Sequence, residues 1–106
     1  MLALETIRAA AADVAKANGA SFAVLFGSYA RGNATPRSDI DLIFVEDNDL
    51  RYLDRIGRYH GPLVDRLRTS VEMFVYTPSE FQRMKDRPFL RRALEEGIVL
   101  YESGQV

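Results

Sequence analysis

There is no cysteine among the 106 residues, no tryptophan, and only one histidine. The missing cysteine excludes disulfides, thiolate metal sites and thiol nucleophiles, and is compatible with a reducing compartment. A surplus of either charge is also lacking: fourteen Lys and Arg face fifteen Asp and Glu, a formal net charge of -1. Such a chain has no global positive field to draw it onto the phosphates of long nucleic acid, which is therefore not expected as a partner. No apolar run reaches membrane-spanning length, and the N-terminal MLALETIRAAAADVAKANGA breaks its apolar positions with charge, unlike a signal peptide. The expectation is a soluble cytoplasmic protein with no membrane partner. Any catalysis has to come from carboxylates, hydroxyls, the lone His60 or bound metal.

What is present is enough apolar material, 47% of the residues, to bury a core in one domain spanning 1–106. No internal repeat or low-complexity tract divides the chain. Leu4, Ile7, Ala11, Val14 and Ala15 make one helical stripe over 3–18, and Gly19 is placed to end that helix in a left-handed conformation. The apolar run 21–26 reads as a strand. A Gly/Asn/Pro/Ser-rich stretch, 27–38, separates it from a second strand, DIDLIFVE, and SVEMFVY at 70–76 is a third. Between strands two and three, Leu50, Leu53, Ile56, Leu63, Val64 and Leu67 recur at helical spacing, and Gly61-Pro62 is expected to break that helix in two. Thr77-Pro78-Ser79-Glu80 is a capping box with proline at the first helical position. A last helix, PFLRRALEE, stops at Gly97 before a short closing strand, IVLYE. The pattern predicts an α/β (α+β) fold in which helices pack on a small mixed sheet of three or four strands.

The chemistry lies in FGSYARGNATPRSDIDLIF. Gly27-Ser28 falls at the finish of strand one, and ten residues later Asp39-Ile40-Asp41 opens strand two. Both reach the same end of a sheet only when these strands run antiparallel. Residues two apart on a strand share a face, so Asp39 and Asp41 point together and repel unless a cation lies between them. Hard oxygen ligands in this arrangement favour Mg²⁺ or Mn²⁺ in company with substrate phosphates. Gly27 permits close backbone approach, and the following Ser-Tyr-Ala-Arg can start a short helix whose free N–H groups face an anion. Ser28 can donate to a terminal phosphate oxygen, and Arg31, one turn on, can add charge. Glu72 brings a third acid to strand three at a position that is ordinarily apolar.

Gly-Ser, ten residues, Asp-x-Asp and a distant acid on a following strand together resemble the DNA polymerase beta-like nucleotidyltransferase superfamily. The small size and the closing PFLRRALEEGIVLYE are similar to its minimal, MNT-type branch. The resemblance covers nearly the whole chain. It implies that Gly27 and Ser28 bind nucleotide phosphates, with Arg31 and Ser38 counted beside them, and that Asp39, Asp41 and Glu72 hold two Mg²⁺ ions and carry catalysis. The third acid is Glu, longer than the Asp of many relatives. The resemblance further implies transfer of AMP from ATP to an acceptor hydroxyl, a tyrosine of a HEPN-family toxin for which the chain is the antitoxin. Two rival readings are adenylylation of a small molecule such as an aminoglycoside, and a non-catalytic module that only masks a toxin. A homo-oligomer is compatible with the sequence.

Other polar residues have plainer expectations. His60 lacks an acidic or nucleophilic companion at ligand spacing and is expected at the surface. Arg51, Arg55 and Arg58 on one helical face, and the pair Arg91-Arg92, read as solvated faces that can also meet a partner.

Overall fold

The computed structural model describes residues 1–103. The chain opens with helix α1 (Leu4–Asn18), which buries Ile7, Ala10, Ala11, Val14 and Ala15. Its small residues let the helix lie close to the sheet, while Leu4, expected on the buried stripe, is partly exposed. Gly19 ends the helix at φ 77°, the left-handed conformation its position in the sequence predicts. Strand β1 (Phe22–Phe26) runs into the single-turn helix α2 (Gly27–Arg31), and β2 (Ile40–Val45) follows the loop after it. Then come α3 (Tyr52–Leu67), β3 (Val71–Tyr76), α4 (Pro78–Met84), α5 (Pro88–Glu96) and β4 (Ile98–Glu102).

The four strands lie in the order β3-β2-β1-β4. β1 pairs antiparallel with β2 and with β4, and β2 pairs parallel with β3 through the α3 crossover. Alternation along the strands serves two different layers. Ala23, Leu25, Leu42, Phe44, Met73 and Val75 enter the core under α1 and α3. Ile43 and Tyr76, with Phe74 beside them, face Leu90 and Ala93 of α5 and Phe81 and Met84 of α4. The helix after the third strand starts as its capping box predicts: the Glu80 amide donates to Thr77 Oγ1 at 3.3 Å and the Thr77 amide to Glu80 Oε1 at 2.9 Å. Among the described residues no helix is long and apolar enough to cross a membrane.

Helix α3 corrects one expectation. Gly61-Pro62 does not break it; the helix runs unbroken from Tyr52 to Leu67 with Pro62 inside. An interior proline removes the hydrogen bond to the carbonyl four residues back, a loss of about 3 kcal/mol when nothing replaces it. That carbonyl belongs to Arg58, and the Asn18 side-chain amide donates to it at 3.2 Å from the end of α1. The buried stripe of α3 also differs from the apolar periodicity: it is Arg55, Tyr59, Leu63 and Leu67, whereas Leu53 is 81% exposed and Leu50 partly so.

The arginines of α3 are a second correction. Arg55 is buried and forms a fork on Glu80, at 2.7 and 3.2 Å, while also donating to the carbonyls of Leu50 and Val75. Arg58 reaches Glu46, the buried acid just beyond β2, at 2.5 Å. Tyr59 donates its hydroxyl to the same carboxylate and Asn48 its amide at 2.6 Å. Arg51, just before the helix, is exposed as expected, but Arg55 and Arg58 are not part of a solvated run; they are the partners of two acids that the tertiary fold brings over.

Candidate active site

The antiparallel pairing of β1 with β2 places Phe26 opposite Asp41, and the parallel pairing of β2 with β3 places Asp41 opposite Glu72. Residues in register share a sheet face, so Phe26, Asp41 and Glu72 form a row across three strands. Asp39 lies two residues before Asp41, just outside β2, and is exposed, as is Glu72. The turn and the acids thus meet at one sheet end, the arrangement that antiparallel strands one and two demand.

Gly27 is where they touch. Its φ of 73° is left-handed, and a Cβ built on it would collide with the Asp41 carboxylate. Two independent constraints, backbone conformation and close approach, therefore require glycine. From there α2 begins, leaving the N–H groups of its first turn without intrahelical partners and directed away from the strand. Gly27, Ser28, Arg31 and Asp41 line one side of a cavity of about 520 Å³, whose other side is α5 with Phe89, Arg92 and Glu96.

The electrostatics of the acids follow from this crowding. Burial pushes the Asp41 carboxyl up, the charges of Glu72 and then Asp39 add to the rise, and Arg31 offsets part of it, leaving a pKa of about 6. Desolvation and like charge both disfavour an ionised carboxylate. Among the described residues no three His, Cys, Asp or Glu side chains converge closely enough to form a ready-made metal cage. The donor set nevertheless fits a hard divalent cation, because the Asp41 carboxylate feels the charges of both Glu72 and Asp39 at this sheet end and a bound cation would offset them.

The remaining residues singled out in the sequence are placed less centrally. Arg31 lines the cavity and faces Glu96 at 3.7 Å, both side chains being largely exposed. Ser38 is engaged within its own loop: its hydroxyl accepts from the Thr35 amide at 2.8 Å and its amide donates to the Thr35 carbonyl at 3.0 Å. His60 is exposed and stands on the other side of the sheet with α3. Arg92, read from sequence with Arg91 as part of a solvated run, lines the cavity, whereas Arg91 pairs with Glu95 on the outer surface. Its spacing from Phe89, one turn along an amphipathic helix, is a signal that the charge pattern alone obscured.

The nucleotidyltransferase domain family matches this chain over residues 7–101. The protein belongs to that family. The matched span runs from α1 into β4 and contains every element of the site. A Methanocaldococcus jannaschii protein provisionally named a protein adenylyltransferase is 37% identical over 82 residues, which cover 74% of this chain and 75% of the relative. Among solved structures, a toxin-antitoxin complex with AMP-PNP contains a chain that superposes with a TM-score of 0.70 at 20% identity, covering 96% of this chain and 77% of that one. A chain from the complex of a tri-AMPylated Shewanella oneidensis HEPN toxin with an MNT antitoxin gives a TM-score of 0.65 at 17% identity, covering 93% of this chain and 72% of its own. At those identities the likeness establishes the nucleotidyltransferase fold.

Proposed function

We propose that this nucleotidyltransferase moves AMP from ATP onto a protein hydroxyl, the acceptor being a tyrosine of a HEPN-type toxin that it restrains. The observation that carries the reading is the seating of the Asp41 carboxylate against the Gly27 backbone within one cavity, which brings a phosphate-cradling turn and a cation-binding acid to one point. The protein acceptor is supported by the 37% identical relative named for that activity and by the toxin-antitoxin complexes that share the fold. In this reading the terminal phosphates lie on the α2 N-terminus, with Ser28 donating to them and Arg31 adding charge. Asp39, Asp41 and Glu72 would hold two Mg²⁺ ions, whose chemistry is to neutralise the triphosphate and acidify the acceptor hydroxyl. The acceptor oxygen attacks the α-phosphorus, the bond to the bridging oxygen breaks, and pyrophosphate departs; in this reading Glu72, an exposed acid on the edge strand β3, would receive the acceptor's proton.

Glu72→Gln tests this. The variant keeps its size and is expected to bind Mg-ATP while transfer falls by roughly two to three orders of magnitude. The paired measurement is ATP affinity by titration calorimetry and AMP addition to a co-expressed HEPN-type protein by intact mass. Wild-type transfer by the variant would remove Glu72 from the chemistry, and no AMP on any tyrosine with the native protein would overturn the acceptor.

A further inference from the structure

The α2 side of the cavity has groups suited to phosphates, and the α5 side has a different chemistry. Phe89 is a large apolar ring left 49% exposed at the cavity wall. It is not a loose surface residue. Phe26 meets it at 5.6 Å between ring centroids with planes at 87°, and Phe74 at 5.2 Å and 61°. Two rings thus brace Phe89 from the sheet, fixing its orientation while leaving part of it open. A preordered aromatic surface beside a phosphate cradle suits a flat π-system, since it gives stacking area at little cost in side-chain entropy. One helical turn on, the Arg92 side chain makes no hydrogen bond or ion pair with any described residue, although Arg91 and Glu96 on the same helix both have partners. A free guanidinium next to an open ring complements the same planar ligand by stacking or cation–π attraction.

From this wall we infer that Phe89 is the stacking platform for the nucleobase, with Arg92 as the cation that accompanies the bound nucleotide. The inference rests on the proposed nucleotide site and assigns the part of it that the phosphate-binding turn does not reach. Of the residues lining the cavity besides the arginines, Ser28 and Asp41 belong to the α2 side and Glu96, on α5, is paired with Arg31, so the platform recognises the face of a base more than its edge.

The test compares Mg-ATP, adenosine and inorganic tripolyphosphate as ligands by titration calorimetry for wild type, Phe89→Leu, Phe89→Trp and Arg92→Gln. Phe89→Leu keeps apolar volume against Phe26 and Phe74, and its melting temperature reports whether the brace survives. The expected result is a roughly tenfold or greater loss for ATP and adenosine in Phe89→Leu, unchanged tripolyphosphate binding, and recovery in Phe89→Trp. Arg92→Gln is expected to weaken ATP as well. Equal ATP affinity in wild type and a folded Phe89→Leu would overturn the platform and leave the nucleotide site standing. A loss shared by tripolyphosphate would also overturn it, by showing a general disturbance of the cavity. Absence of Mg-ATP binding in wild type would overturn both readings together.

Discussion

Strand β2 carries an acid at each end, and the two have opposite surroundings. Glu46, just past the far end, is buried and satisfied: Arg58, Tyr59 and Asn48 all donate to its carboxylate. Asp41, at the near end, is half-buried and feels the charges of Glu72 and Asp39, with the smaller effect of Arg31 to offset them. Near the far end a second carboxylate, Glu80, is pulled below the usual range chiefly by its hydrogen bonds from Arg55. The contrast separates two uses of a buried carboxylate. Where the chain supplies the counter-charge, the acid stabilises the fold; where it withholds it, the acid costs stability that an added cation would restore.

The largest effect that sharpens this comparison is catalytic. Asp39→Asn combined with Asp41→Asn is expected to abolish or greatly weaken Mg-ATP binding and to lower transfer roughly a thousandfold or more, with folding intact. Titration calorimetry and labelled-AMP transfer measure it, and undiminished affinity would show that the near-end acids are ordinary surface charge.

The same change of acid to amide at the far end should act on stability instead. Glu46→Gln leaves the Tyr59 hydroxyl and the Arg58 guanidinium without their charged acceptor and is expected to cost about 2 kcal/mol. Denaturant melts should record that loss, while ATP affinity of the folded protein stays at the native value. A melt unchanged from wild type would mean that the far-end network contributes nothing net.

The smallest effect has the opposite sign. Asp41→Asn in EDTA is expected to raise the melting temperature by a few degrees at pH 8, a gain limited by solvent screening of a half-exposed group. The folded-state pKa of about 6 lies above the ordinary value of 3.8, so stability present below 3.8 is lost as pH rises through 6. The variant's advantage should therefore be widest above pH 6 and shrink as pH falls toward 4. A constant difference across that range, or a destabilised variant, would break the comparison between the two ends.

Much of the site was legible because its parts are local. Gly27-Ser28 and Asp39-Ile40-Asp41 are fourteen or fewer residues apart in the chain, and period-two alternation predicts both aspartates on one face, with Asp39 falling just outside β2. Glu72 was legible as an acid near the start of strand three, but its position is exposed rather than core-facing, and only the parallel pairing with β2 sets it opposite Asp41. The capping box of α4 and the left-handed Gly19 were equally local, each a matter of three or four adjacent residues.

What misled was periodicity read without its partners. Gly61-Pro62 carries the sequence signature of a break, and α3 continues only because Asn18, forty residues away, satisfies the carbonyl that Pro62 abandons. Arg55, Arg58 and Arg92 look alike as charges on helices, yet they serve a buried fork, a buried acid and an open cavity wall respectively. The sequence by itself determined the strand-turn-strand unit and the short spacing from Gly27-Ser28 to the aspartates, because local backbone geometry dictates both. Only the tertiary structure decided which charges have partners and which do not, because Glu46 meets Arg58, Arg55 meets Glu80 and Asp41 meets Glu72 across elements distant in sequence, and pairing in space leaves no trace in the pattern of either segment alone.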